Sequence, residues 1–266
     1  MSKITVPVIK EKKIKGEKLS VITAYDFSFA RLAEQAGIDI VLVGDSLGMV
    51  IQGEKDTTSV TMENMLYHSL SVSKGLKNAH LVTDMPFMSY QISPEQALEN
   101  AGILVKKGKA ESVKLEGGTE RFNSIKKIVS AGIPVMGHIG LTPQSVHKFG
   151  GFKVQGKSEK DKKYLIESAI SIEEAGAYAL VLESIPWETA KIISEKITIP
   201  TIGIGAGKFC DGQVLVIYDL LGMDNRFTPK FLKKYANLND IVTNSIKEYI
   251  SEVKNGVFPG IDNSFE

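Results

Sequence analysis

The residues of this chain that could do chemistry are Asp45, Asp84, Lys114, Glu116, His138 and Glu183, each at or near the end of a short apolar run. Asp45, Asp84 and Glu116 could not all stay ionised side by side without a cation. Oxygen ligands with open positions favour Mg2+ or a similar hard divalent ion. Three carboxylates around one such ion leave a formal charge of about −1. Lys114 balances it and offers a point charge to a substrate carboxylate. A metal held in this way suits chelation of an α-keto acid, because a Lewis acid polarises the keto group and stabilises an enolate. Glu183 is then left as general base for a carbon-bound proton, at the end of an apolar strand where burial is expected to raise its pKa.

Each residue taken alone also has a plainer reading. Asp45 or Asp84 can cap a helix or a turn, and so can Ser46. Lys114 and Glu116 can form a structural ion pair. Glu183 can simply open the next helix, where negative charge is favoured. His138 reads first as a hydrogen-bonded core histidine, with an outer position around a metal as the alternative. What favours chemistry is that all of them fall at one rim of the fold their elements build.

Those elements repeat one pattern of apolar run, turn and amphipathic helix. Leu19 to Ala24 reads as the first strand, and Asp26 or Ser28 can cap the helix that Gly37 closes. Ile38 to Gly48 opens as a continuous apolar run, as a strand buried on both faces would. Alternation places Val41, Val43 and Asp45 on one side of it, and Gly44 and Gly48 are read as letting the chain turn. Met49 to Val60 is expected to be a loop, with a helix from about Thr61. The further strands are His80 to Met85, Ser112 to Glu116, Ile133 to Ile139, Ala177 to Glu183, Ile199 to Ile204 and Val214 to Tyr218. Lys114 and Glu116 are two apart and share a side. Ser93-Pro94-Glu95-Gln96 is a capping box. The glycine-rich stretch Gly140 to Lys157 has a length that is often functional. Strand–helix steps in this number, with no break in composition over about 250 residues, predict a single-domain α/β fold, the (β/α)8 TIM barrel. A short N-terminal arm (about 1–18) and a C-terminal helix (about 239–255) flank it, the helix with Val242, Ile246, Tyr249, Ile250 and Val253 on one face.

The bulk composition narrows the function classes. The chain has 266 residues, 43% apolar and 24% charged, ordinary for a globular protein. A formal net charge of +1 gives no footing for nucleic acid, and aromatics do not interleave with basic residues. Lys10 to Lys18 is read as a solvated arm. Cys210 is the single cysteine, which excludes an intrachain disulfide and a cysteine-based zinc site. The charged N-terminus has no apolar leader and no run reaches membrane-spanning length, so the cytoplasm is the expected location. Gly203-x-Gly205-x-Gly207 lacks the full dinucleotide fingerprint and is expected to give backbone clearance or bind an anionic part of a ligand. Trp187 is expected to pack, and His68, His80 and His147 show no ligand spacing.

The same residues carry a family resemblance. TAYD (Thr23 to Asp26), VGDSLGMV (Val43 to Val50), DMPF (Asp84 to Phe87), SPEQAL (Ser93 to Leu98) and KLEGG (Lys114 to Gly118) resemble the ketopantoate hydroxymethyltransferase family. So do MGHIGLTPQSVHKFGGFKVQG (Met136 to Gly156), LVLE (Leu180 to Glu183), IPTIGIGAG (Ile199 to Gly207) and CDGQVLV (Cys210 to Val216). The resemblance implies a barrel that transfers a one-carbon unit from 5,10-methylenetetrahydrofolate to 3-methyl-2-oxobutanoate, giving 2-dehydropantoate on the way to pantothenate and coenzyme A. It implies Asp45, Asp84 and Glu116 at a Mg2+ site, Glu116 through water. It also implies Asp45, Ser46, Asp84 and Lys114 on the keto acid, Glu183 as proton acceptor, and a homodecamer. Gly53-Glu54-Lys55, Met88 and Ser184-Ile185-Pro186-Trp187 depart from the family pattern, and none of them is a matched ligand.

Two rivals stand beside this reading. A Mg2+-dependent lyase or mutase of the phosphoenolpyruvate mutase and isocitrate lyase group would use the same barrel and keto-acid enolates. Such lyases rely on a cysteine-bearing loop, whereas Cys210 follows the seventh strand. A non-catalytic barrel would bind no metal at the strand-end acids.

Overall fold

The apolar runs pair with their neighbours in chain order, and the last returns to the first to close a parallel barrel. The strands are β1 (Leu19–Thr23), β2 (Ile40–Val43), β3 (His80–Asp84), β4 (Ser112–Glu116), β5 (Val135–Gly140), β6 (Ala179–Glu183), β7 (Thr201–Ile204) and β8 (Gly212–Leu215). The helices are α1 (Val6–Lys15), α2 (Phe27–Ala36), α3 (Leu47–Val50), α4 (Met62–Ser73), α5 (Pro94–Lys106), α6 (Phe122–Ser130), α7 (Val146–Phe149), α8 (Glu159–Glu174), α9 (Trp187–Lys196), α10 (Ile217–Leu220) and α11 (Leu238–Lys254). This is a computed structural model, and it describes residues 2–224 and 229–265. The fold is the (β/α)8 barrel that the strand–helix repeat predicts. The chain divides into two compact units, Met1–Val216 with the whole barrel and Ile217–Glu266 with α10 and α11.

Local signals set the helix starts. Asp26 accepts from Phe29 N at 2.9 Å and Ser93 Oγ from Gln96 N at 3.1 Å, each relieving an unpaired amide of the first turn. Thr61 and Asn64 cap each other reciprocally at the head of α4. Gly37 ends α2 in the left-handed region, φ +83°.

The structure differs from the sequence reading in several places. β5 begins at Val135, because Pro134 has no amide to give the ladder and contributes only its carbonyl, to Val113 N at 3.1 Å. β8 lies earlier than expected, and Ile217 and Tyr218 belong to α10. The end of the stretch read from Ile38 to Gly48 turns into α3, which also takes Met49 and Val50, the first two residues of the expected loop. The Lys-rich start stays largely exposed, as a solvated arm would, but it is anchored. It forms α1, whose Ile9 is fully buried in a cluster with Leu19, Val21, Ile40, Ile202 and Val214. Lys13 Nζ donates to the carbonyls of Ser194, Ile197 and Ile199 at 3.0, 3.0 and 2.9 Å, tying α1 to the end of α9.

Alternation along the strands sorts the barrel interior into an apolar end and a polar end. Leu19, Val21, Ile40, Leu42, Val82, Met136, Ala179, Val181, Ile202 and Val214 form one buried cluster. On β2 that cluster takes Ile40 and Leu42 and leaves out Val41 and Val43, although both are fully buried. The face assigned to Asp45 from alternation therefore does not hold. Asp45 lies past the end of β2, where the chain has left the strand. Toward the N-terminal end, His80 Nε2 meets Ser112 Oγ at 2.9 Å and Ser112 Oγ meets Tyr178 OH at 2.9 Å, a buried polar relay across three adjoining segments.

Burial holds His80 neutral, lowering its pKa from 6.5 to about 4, against the pull of Glu111 nearby. The folded pKa lies below the unfolded one, so the unfolded chain binds the extra proton between the two. Stability is then present above about pH 6.5 and drains away as pH falls through 4. Linkage puts the loss between pH 7 and pH 5 at about 2 kcal/mol. Urea unfolding at the two pH values is expected to show it in the wild type and not in His80→Asn; equal losses in both would assign the acid sensitivity elsewhere.

Candidate active site

Register, not sequence spacing, assembles the rim. Asp84 lies opposite Lys114, Glu116 opposite His138, and Gly140 opposite Glu183. Lys114 Nζ stands 3.1 Å from Asp84 Oδ1. His138 bridges two carboxylates, with Nδ1 at 3.4 Å from Glu116 Oε1 and Nε2 at 3.2 Å from Glu183 Oε2. Lys114 Nζ also lies 3.3 Å from His138 Nδ1. Asp45 is joined through its backbone, its amide donating to Asp84 Oδ2 at 3.1 Å. Asp45, Asp84, Lys114, Glu116 and His138 are all buried, and Glu183 is the most open of the set.

The turn after β2 requires close approach rather than unusual dihedrals. Neither Gly44 nor Gly48 lies in the left-handed region, but a Cβ on Gly48 would stand 2.7 Å from Val60 and 3.2 Å from the Asp56 carbonyl. A Cβ on Gly44 would meet Ser46 Oγ at 2.7 Å. Ser46 does not cap α3; its Oγ is 2.8 Å from Tyr25 OH. Ser184, one of the departures from the family pattern, takes a left-handed φ of +48° directly after Glu183. For a residue with a side chain that is a strained turn, of the kind found where a neighbouring group must be aimed.

The electrostatics follow from burial. It pushes the Asp45 carboxyl well above the usual carboxylate range, and Asp84 and Glu116 push it further. Burial also raises Asp84, against the stabilising charge of Lys114. For Lys114, burial disfavours the ammonium, yet Asp84, Glu116 and Asp45 together hold its pKa above normal. Burial and Lys114 both oppose a charged His138, but hydrogen bonds to Glu116 and Glu183 carry its pKa to about 9. The site is a crowd of acids short of positive charge.

Among the described residues no group of three or more His, Cys, Asp or Glu side chains forms a ready-made metal cage. The donor set nonetheless fits Mg2+, which takes one or two carboxylates and fills its other positions with water and substrate oxygens. Asp84 Oδ1 is buried with no aligned hydrogen-bond donor, a hard oxygen left open, although the Lys114 ammonium lies near it.

Sequence reasoning missed two residues of this site, Gln144 and Tyr90. Gln144 Nε2 donates to Asp45 Oδ2 at 2.8 Å, and its backbone amide to Glu116 Oε2 at 3.1 Å. Tyr90 OH donates to Gln144 Oε1 at 2.6 Å and accepts from Glu116 N at 3.1 Å. Burial, then the Glu116 charge, raises the Tyr90 pKa well above normal, so its hydroxyl keeps its proton. The signals for Gln144 were the length of the glycine-rich segment that carries it and its place in the family-like stretch Met136 to Gly156, neither of which assigns it a contact. A cavity of about 330 Å3 lies beyond these two residues, walled also by Phe87, Phe149, Tyr164 and Arg121.

The remaining sequence features stay structural. Cys210 is buried. Gly207 has φ +82°, and a Cβ there would meet Trp187 Cβ at 2.5 Å, so the glycine clears space for that side chain. Trp187 in turn packs on Phe209, ring centroids 5.4 Å apart, while staying half exposed. His68 Nδ1 bonds the Tyr25 carbonyl at 2.6 Å.

A parallel barrel of this kind is an enzyme scaffold, and such barrels carry their chemistry at the C-terminal rim, where here the acids, the lysine and the histidine are linked. Solved structures with the same fold include a phosphonopyruvate hydrolase (TM-score 0.63, 12% identity, covering 100% of this chain and 92% of that one). A 2,3-dimethylmalate lyase is similar as well (TM-score 0.62, 14% identity, 100% and 89% covered). At such identities the likeness extends to the fold alone. The sequence comparisons go further. A family profile described as ketopantoate hydroxymethyltransferase matches residues 3–261. The 3-methyl-2-oxobutanoate hydroxymethyltransferase of Enterococcus faecalis is 56% identical over 264 residues, covering 99% of this chain and 96% of that protein. The protein of that name from Clostridium kluyveri is 55% identical over 266 residues, covering 100% and 95%. The chain belongs to the ketopantoate hydroxymethyltransferase family, and it is an enzyme of the transferase class.

Removing Lys114 tests the charge balance. Lys114→Met leaves buried carboxylates uncompensated, which costs about 3–5 kcal/mol when one partner of a buried pair is lost. Denaturant unfolding at pH 7 is expected to show a loss of that size, with part of it recovered at lower pH as the acids protonate; a variant as stable as wild type would mean that the acids are already neutral.

Proposed function

We propose that the enzyme transfers a hydroxymethyl group from 5,10-methylenetetrahydrofolate to 3-methyl-2-oxobutanoate, giving 2-dehydropantoate for pantothenate and coenzyme A synthesis, with Mg2+ as cofactor. The observation that carries this reading is the single connected set of Asp84 with Lys114 and of Glu116 with His138 and Glu183, on a barrel of this family.

Asp45 and Asp84 would hold Mg2+, with Glu116 reaching it through water. Bound there, the ion would supply Lewis-acid polarisation of the keto acid's carbonyl. Lys114 and Ser46 hold the substrate carboxylate, Lys114 as a buried charge and Ser46 through a hydroxyl already positioned by Tyr25. Glu183 takes the proton from the branched carbon. It is the acid of the set most open to substrate, and His138 Nε2 stands 3.2 Å from it. The carbon that loses the proton forms its new bond to the donor's methylene carbon. Water supplies the hydroxyl oxygen and tetrahydrofolate leaves. The cavity beside Glu116 and Gln144, with its aromatic walls, offers room for the donor's ring system.

No helix among the described residues is long and apolar enough to cross a membrane, and a cytoplasmic location suits a biosynthetic enzyme. Self-association suits α11. Ile241, Val242, Ile246, Tyr249, Ile250 and Val253 are all exposed in the single chain, a contiguous apolar stripe of the kind that marks an interface. A homodecamer is the proposed assembly.

Formation of 2-dehydropantoate from the two substrates is expected with Mg2+ and not after chelation. Glu183→Gln is expected to abolish exchange of the branched-carbon proton with solvent deuterium while keto-acid binding persists. Undiminished exchange in that variant would remove Glu183 from the role of base.

A further inference from the structure

Gln144 uses every hydrogen-bonding capacity of its side chain on the walls of the site. Its amide nitrogen has two protons, one donated to Asp45 Oδ2 at 2.8 Å and one to the Met85 carbonyl at 3.0 Å. Its amide oxygen has two lone pairs, which accept from Tyr90 OH at 2.6 Å and from Gln91 Nε2 at 3.2 Å. These partners fix the orientation of the amide, because a flip would set its oxygen against two acceptors. The backbone amide adds a fifth bond, to Glu116 Oε2 at 3.1 Å. Gln144 is buried, so water does not substitute for any of these partners freely.

One residue from the segment after β5 thus holds the carboxylate beyond β2 and the carboxylate that ends β4. The two are far apart in sequence and pack at the same rim. Only donors placed between such acids can set their spacing without neutralising them, and a neutral amide does so. Tyr90 completes the clamp from the far side, since its hydroxyl touches both Gln144 Oε1 and Glu116 N.

We infer that Gln144, braced by Tyr90, is a positioning residue that sets the separation and orientation of Asp45 and Glu116 for a divalent cation. The inference rests on the Mg2+ reading above. Gln144 does not touch the reacting atoms and acts through the two acids. An outer partner of this kind is worth about 10–100-fold in metal affinity.

The test is Mn2+ binding to the purified enzyme without substrates, followed by electron paramagnetic resonance of the free ion, in wild type, Gln144→Met and Tyr90→Phe. Methionine keeps the volume and removes all four side-chain hydrogen bonds, leaving only the backbone amide's bond to Glu116. The dissociation constant is expected to rise about 10–100-fold in Gln144→Met and less in Tyr90→Phe. Thermal unfolding run in parallel separates this from a purely structural role, which would lower the melting temperature and leave affinity unmoved. Wild-type affinity in Gln144→Met overturns the inference while the metal site stands. Should Gln144→Met not fold, Tyr90→Phe decides, and unchanged affinity there overturns it. A wild type that binds no Mn2+ removes the metal site, and the inference with it.

Discussion

The central constraint is the burial of Asp45, Asp84 and Glu116 in one place with Lys114 as the one ammonium among them. Taken out of water, such acids resist ionisation strongly, and no arrangement of the three alone would be tolerated as anions. The structure meets this in parts. Lys114 pairs with Asp84. His138 lies between Glu116 and Glu183 and is held toward its charged form. Neutral donors from Gln144 and the Asp45 amide take up further lone pairs. What remains is a site with hard oxygens and spare negative charge, which is the state a divalent cation and an anionic substrate would complete.

The barrel explains why this arrangement can exist. A carboxylate at such a rim needs a rigid support, because small displacements change interactions among close charges by large amounts. Parallel strands in fixed register supply it, holding Asp84, Lys114, Glu116, His138 and Glu183 on adjoining β3 to β6. The other end of the barrel does the opposite work. There Ile9 of α1 seats in the apolar cluster, and His80, Ser112 and Tyr178 satisfy one another. Apolar packing lies at that end, while the rim carries a strained feature, the left-handed Ser184.

The structural neighbours illustrate how little the fold alone says about reaction. Hydrolase, lyase and transferase share this barrel at low identity. The side chains at the rim and the segments that pack over it distinguish them. In this chain the segment after β5 supplies Gln144 to Asp45 and Glu116 and forms one wall of the adjoining cavity.

By itself the sequence determined the order of the eight strands and of the long helices between them, because apolar runs, caps such as Asp26 and Ser93, and glycine stops are local signals that each element carries within itself. It also marked Asp45, Asp84, Lys114, Glu116, His138 and Glu183, since a charge at the end of a buried run is conspicuous. It misplaced the face of Asp45, which depends on where β2 ends rather than on alternation within it. It read the Lys-rich start as a solvated arm; Lys10 to Lys18 is largely exposed, but the anchoring of α1 through Ile9 and Lys13 is not visible as a pattern. Tertiary structure alone decided which acids meet which bases, and the contacts of Gln144 and Tyr90 with them. Those contacts join residues distant in the chain through strand register and barrel closure, and such a hydrogen bond leaves no periodic trace in the sequence.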